Sequence, residues 1–252
     1  MDSLSVFLRW LHIAAGILWI GLLYFFNFVN TPLAGVLDGE TKKKLVPELM
    51  PRALYWFRWG AAYTWFTGLL LLMLVFYHGG LMFEEGVEEW GLGAIVMVIV
   101  TFGGFALYDM LAKTSLSKNL KVFGAIGFVI IAVITCLMIG WGEFSYRAYN
   151  IHIGVMFGTI MAANVWMRIW PAQKKIIAAV KEGTAPDPAA VAIAGMRSRH
   201  NTYLSVPLIY TMINMHTVVP GADSWIYLLV AILIGWAGVA YMYKKAARLK
   251  GF

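Results

Sequence analysis

The sequence predicts an all-α integral membrane protein, a bundle of about seven transmembrane helices with the N-terminus outside and the C-terminus in the cytoplasm. Three observations predict it. Of 252 residues, 61% are hydrophobic and 13% charged, with a mean hydropathy of +0.73. A soluble domain carries about 25% charged residues. The apolar residues come in blocks, each near the ~20 residues that cross a bilayer. The basic residues alternate in density from one connection to the next.

The expected spans are 4–30, 51–77, 91–112, 121–141, 150–170, 199–219 and 224–244. Together they make one helical domain over residues 1–252. Basic residues crowd the connections at 31–52 (Lys42, Lys43, Lys44, Arg52), 113–121, 168–199 and the tail from Lys244 onward. Only Arg9, Arg58 and Arg147 of the 20 Lys and Arg lie elsewhere. Cytoplasmic connections carry the excess of Lys and Arg, so an odd number of spans predicts N-out and C-in. Segment 172–196 joins an amphipathic AQKKIIAAVKEG stretch to a TAPDP turn. It is expected to lie as a helix on the membrane surface, its cations facing anionic head groups. The loop 78–90 carries Glu84, Glu85, Glu88 and Glu89. It is either a solvated loop or a docking surface for a basic partner such as a soluble cytochrome c. Gly154 and Gly158 form a GxxxG, and Gly16, Gly60, Gly68, Gly103 and Gly104 add small contact points for close helix packing.

Composition also excludes. The single cysteine, Cys136, cannot form an internal disulfide, and no CxxC or CxxCH occurs. A Cys-based metal site and a covalently attached c-type haem are excluded within these residues. The start MDSLSVFLRW lacks a basic n-region and a small-residue cleavage site follows nowhere, so the first helix is expected to be retained. The net charge of +7 sits at the helix ends and not in a nucleic-acid patch. The localisation expected is a bacterial inner membrane.

The five histidines sort by depth. With N-out topology, His12, His78, His152 and His216 fall toward the outer face, on four different spans. Haem b takes two axial imidazoles from facing helices, so His12, His152 and His216 are candidate iron ligands. Three histidines for two positions leave the pair open. Arg9, one turn outward from His12, is the candidate for a haem propionate, and Gly16 and Trp19 share its face. His200 alone lies toward the inner side, which argues against a second bis-histidine haem.

The inner half collects Asn27, Asn30, Arg58, Asp109, Asn164, Arg168, Arg197, Arg199, His200, Asn201 and Tyr203. A charge at membrane depth demands a partner, and Asp109 is a candidate for Arg58. Pro207 is expected to bend its span. Asn27, Arg58, Asn164, Arg197, His200 and Asn201 are the candidate substrate pocket. Cationic and amide donors suit a small planar anion or a quinone head group. The alternative is a set of interface anchors. No residue is singled out as catalytic.

Four stretches carry a family resemblance: HIAAGILWIGLLYFFNFVNTP (12–32), MPRALYWFRWGA (50–61), GTIMAANVWMRIWPAQKKII (158–177) and RSRHNTYLSVPLIYTMINMH (197–216). They resemble the membrane domain of the bacterial membrane-bound urate oxidase (urate hydroxylase) family. His12, Asn27, Arg58, Asn164, Arg197, His200, Asn201 and His216 fall in these motifs. The resemblance implies urate oxidation coupled to a cytochrome chain. In the family a further span and a periplasmic cytochrome c follow the helical domain. With no CxxCH here, the expected electron acceptor is a separate cytochrome c or the subunits of a respiratory complex. Two other readings compete with this haem b oxidoreductase. One is a non-catalytic haem b or quinone-linked subunit of a respiratory assembly. The other is a transporter or haem-free structural subunit.

Overall fold

The computed structural model describes residues 2–84, 86–87, 90–214, 216 and 224–249. Glu85, Glu88 and Glu89 of the acidic loop lie outside the described residues, as does most of 215–223. Among the described residues the secondary structure is helical, with one isolated bridge between Phe83 and Phe144. The helices are α1 (Asp2–Tyr24), α2 (Thr31–Val36), α3 (Gly39–Leu72), α4 (Leu92–Lys113), α5 (Leu120–Gly140), α6 (Tyr146–Asn164), α7 (Trp170–Glu182), α8 (Pro188–Asn214) and α9 (Trp225–Ala246).

Three wide π-helical turns continue these helices: Phe25–Asn30 after α1, Met73–Tyr77 after α3 and Val165–Ile169 after α6. Six helical segments are long and apolar enough to cross a membrane: Ser3–Val36, Gly39–Tyr77, Leu92–Lys113, Leu120–Gly140, Tyr146–Glu182 and Trp225–Ala246. The protein is therefore an all-α membrane bundle. The sixth span expected from sequence overlaps α8, 27 residues long, over residues 199–214. Arg197 and Arg199 dilute its apolar stretch, so it is not among those six.

The basic connections differ from expectation. Within the 31–52 connection, residues 39–50 are helical and form the first turns of α3, with Pro47 and Pro51 inside the helix. Segment 172–182 does not stand apart as a surface helix. It continues the α6 helix through the turn at 165–169 and ends at Gly183, whose φ of 74° closes the helix in the left-handed conformation that glycine adopts without strain. The Asp187 carboxylate accepts the Ala189 N–H at 2.9 Å and starts α8, eleven residues before the expected span. Ala172, Ala190 and Ala194 then bury against one another with Ile176, so α7 and the start of α8 pack as a helical hairpin. The small alanines permit that approach. The hairpin hides in an amphipathic pattern that by itself reads equally well as a membrane-surface helix.

The helices sort into two compact units. The first comprises Met1–Gly68, Met161–Ser205 and Trp236–Phe252. Its tightest approach joins α1 to α3. A Cβ at Gly60 would lie 3.3 Å from the Trp19 backbone nitrogen, and one at Gly68 would lie 2.9 Å from His12 Cε1.

The second unit comprises Leu69–Ile160 and Val206–Gly235. Here the GxxxG does what its spacing predicts. Gly154 admits Thr211 and Met212 of α8, and Gly158 faces Leu208. Gly104 likewise receives Met156, and Gly235 makes room for Pro207 inside α8. The loop before α4 is tied to the start of α6. Ser145 Oγ donates to the Leu81 carbonyl at 2.8 Å, and the Glu84 carboxylate accepts the Tyr146 N–H at 3.0 Å. One acidic residue of that loop thus serves as a helix cap.

Candidate functional site

The densest polar feature belongs to the first unit. Residues four apart on a helix share a face, so Arg197, Asn201 and Ser205 of α8 form one stripe, with Ser198 and Thr202 beside it. Arg197, His200, Asn201, Thr202 and Ser205 are all buried, Arg197 only 2% exposed. Buried polar groups need partners, and Arg197, Asn201, Thr202 and Ser205 each make a hydrogen bond within the protein.

Asn164, the last residue of α6, donates through Nδ2 to Asn201 Oδ1 at 2.8 Å. Its Oδ1 accepts from Arg197 Nη1 at 3.3 Å. Asn201 Nδ2 donates in turn to the Met161 carbonyl at 2.9 Å. The four groups form a directional relay from guanidinium to backbone.

Asn27 also reaches α8. Its Nδ2 donates to Ser198 Oγ and to the Leu23 carbonyl, each at 2.8 Å, and its Oδ1 accepts from the Tyr243 hydroxyl at 2.7 Å. Tyr24 and Ser205 hydroxyls meet at 3.0 Å. Tyr243 stacks on Tyr203 and lies under the Arg199 guanidinium. Asn27 sits within the π-helical turn 25–30, and Asn164 immediately precedes the turn 165–169. A π turn rotates the side chains that follow it, and such turns cluster where proteins place functional groups.

Arg58 is separate from this relay. Its guanidinium lies 4.0 Å above the Trp170 ring and 5.7 Å from the Trp166 and Tyr55 rings. Trp166 Nε1 donates to the Arg58 carbonyl at 3.1 Å, holding the indole against it. Asp109, expected as its counter-charge, instead pairs with Lys113 at 2.7 Å, one turn along α4. Of the six residues read as a pocket, Asn164, Arg197 and Asn201 are bonded in one chain. Asn27 reaches the same helix, His200 lies buried beside them in sequence, and Arg58 stands in an aromatic box.

The candidate haem residues differ in chemistry. His12, in the first unit, places Nδ1 2.9 Å from the Thr64 carbonyl and 3.2 Å from Thr67 Oγ1. A carbonyl only accepts, so Nδ1 carries the proton and Nε2 keeps its lone pair. Among the described residues nothing hydrogen-bonds Nε2. That is how a metal-binding imidazole is oriented. Trp19 lies two turns along the same face, and its buried indole N–H has no acceptor among the described residues. His12 Nε2 is thus the nitrogen that would hold a haem iron on this face. Arg9, the propionate candidate, is exposed.

In the second unit His152 is fully buried and committed at both nitrogens. Nδ1 donates to the Ala148 carbonyl at 2.7 Å, and Nε2 accepts from the Tyr77 hydroxyl at 3.0 Å. Phe76 and Phe144 pack around it. As an iron ligand it would have to give up Tyr77. His216 is exposed just past the end of α8, and His78 is exposed at the end of the turn 73–77. Among the described residues no three His, Cys, Asp or Glu side chains gather as a metal site.

A family profile described as urate oxidase N-terminal matches residues 34–250. The chain belongs to that family. No curated protein and no solved structure matches it. The matched residues include the relay through Asn164, Arg197 and Asn201, and they include Arg58, His152 and His216. His12 and Asn27 precede them.

Sequence reading of this urate oxidase N-terminal chain missed Tyr24, Ser198, Ser205 and Tyr243. Ser205 was legible in principle, because it extends the four-residue stripe of α8, and Ser198 lies beside that stripe. Tyr243 carried no signal, since it lies among the basic residues at the end of α9 and reads as an interface anchor.

Proposed function

We propose that this chain is a urate oxidase-like haem b protein of the bacterial inner membrane. It oxidises urate or a related small planar anion, and a separate cytochrome c receives the electrons. The observation that carries the reading is the Arg197–Asn164–Asn201 relay, in a chain of the urate oxidase N-terminal family.

A weakly acidic heterocycle binds best as its anion. The Arg197 guanidinium is permanently cationic, planar and fork-shaped, which matches such an anion. Asn164 holds one arm of that fork, and Asn201 holds Asn164. The ligand therefore meets a donor whose orientation is already set, which lowers the ordering cost of binding. Burial lowers the local dielectric and strengthens the attraction. His200 is the titratable imidazole of the cluster and the candidate acceptor for a substrate proton. When bound, haem b supplies one-electron transfer, with His12 Nε2 as the candidate ligand. The orientation that follows from the basic helix ends is N-out and C-in.

The test is difference spectroscopy on the purified protein. Urate is expected to reduce a b-type chromophore and, with cytochrome c present, to do so catalytically. Arg197→Gln should raise KM at least tenfold, since a charge-assisted bond contributes about 1.5–3 kcal/mol. A chromophore that urate never reduces sinks the reading.

One observation favours a second reading, a non-catalytic haem b or quinone-linked subunit of a respiratory assembly. The Asn164 and Asn201 amides each donate to a partner within the protein, so this part of the relay holds together with no ligand bound. Reduction by a quinol and not by urate would select it.

A further inference from the structure

We propose that Arg58, Trp170 and Lys174 form a binding site for the phosphate of an anionic phospholipid. Arg58 and Lys174 approach the same indole. The Arg58 guanidinium stacks at 4.0 Å from the Trp170 centroid, and Lys174 Nζ lies 5.6 Å from it. Two cations thus gather on one ring. Among the described residues no ion pair or hydrogen bond reaches the Arg58 guanidinium or Lys174 Nζ, and the buried Arg58 Nε is left without an acceptor.

Stacking uses the flat face of a guanidinium and leaves its N–H donors in the plane. The box therefore holds Arg58 in place while its donor edge stays unspent. Trp166 adds rigidity by donating to the Arg58 carbonyl and meeting Trp59 edge-on. A phosphate oxygen would satisfy the donors, and its charge would balance both cations.

The surroundings select a lipid over a free anion. Tyr55, Trp56, Trp59, Tyr63 and Met167 expose between 36% and 58% of their surface around this site. Trp and Tyr concentrate where a bilayer meets water, and the membrane-crossing segments Gly39–Tyr77 and Tyr146–Glu182 carry these residues. The rings contact glycerol and acyl chain while the cations hold the phosphate. Soluble phosphate has no use for the rings. A zwitterionic head group would bring an ammonium toward two positive charges. Anionic lipid is thus preferred, and the site stands whether or not haem or urate binds.

The test is native mass spectrometry of the full chain, purified in mild detergent and given equal amounts of phosphatidylglycerol and phosphatidylcholine. The wild type is expected to retain phosphatidylglycerol. Lys174→Gln should weaken retention about fivefold and Arg58→Gln at least as much, because one surface cation contributes about that factor. Lys174 is exposed, so its variant reports binding without a folding defect. Arg58→Lys keeps charge but loses the planar stack, and should fall between wild type and Arg58→Gln. Equal retention of both lipids, or unchanged retention in the folded double variant, overturns the proposal. Displacement of the lipid by millimolar inorganic phosphate overturns it in favour of a soluble-anion site.

Discussion

Arg58 and Arg197 belong to the same compact unit, and each is an arginine at the depth of a helix expected to cross the membrane. Their surroundings differ in kind. Arg197 is held by an amide that is held by a second amide, deep among α6 and α8. Arg58 is held by rings, on a face where large aromatics remain exposed. Amide partners fix the direction of a guanidinium and consume part of its donor edge. Aromatic partners fix its plane and leave that edge free. The first arrangement suits a site inside the protein, the second a ligand that arrives from the bilayer.

The comparison is broken most severely at Asn164. Asn164→Ala removes the Arg197 acceptor and the Asn201 donor together. It should cost about 3 kcal/mol, because two buried polar groups lose their partner, read as a lower midpoint in detergent unfolding. A cost near zero would mean that the relay is not the determinant described. His152 in the second unit tests the same rule with one bond. Tyr77→Phe strands the buried Nε2 and should cost about 1–2 kcal/mol, with the fold retained by circular dichroism.

Arg58→Gln should cost less, about 0.5–1 kcal/mol from the lost cation–π contact, and the loss should depend on the lipid supplied. If Arg58→Gln destabilises as much as Asn164→Ala in lipid-free detergent, the two arginines are not different in kind. The smallest effect is expected at Asp38, outside the membrane-crossing segments. The Thr41 hydroxyl and backbone N–H bond its carboxylate at 2.6 and 2.9 Å and hold its pKa below the usual range. A lowered folded-state pKa means that the capping contribution is full above the ordinary carboxylate range. It is lost as pH falls through the lower folded value. Hydrogen exchange of the first α3 amides should therefore quicken only in acid, and Asp38→Ala should abolish that dependence.

Much of the site was legible because a helix carries a simple period. Arg197 and Asn201 lie four apart, and Asn164 is a lone amide in an apolar run, so depth and face both marked them. The assignment of Arg58 to the same pocket, and of Asp109 as its partner, came from depth alone. Hydropathy reports how far along a span a residue lies. It does not report which way around the helix the side chain points. The turn at 165–169 changes that angle, and it places Trp166 and Trp170 on Arg58. Histidine depth was equally blind to commitment. His12 and His152 read as equivalent, yet one keeps an open nitrogen and the other spends both.

By itself the sequence determined that this chain is a helical membrane protein, which ends of its helices are basic, and which polar residues lie at membrane depth. Those follow from burial energies that act residue by residue and sum along a span. Only the tertiary structure decided which polar residues meet. Hydrogen bonds and cation–π contacts act over a few ångströms, and the helix rotations that satisfy them are set by packing at Gly60, Gly68 and Gly154 and by the wide turns beside Asn27 and Asn164.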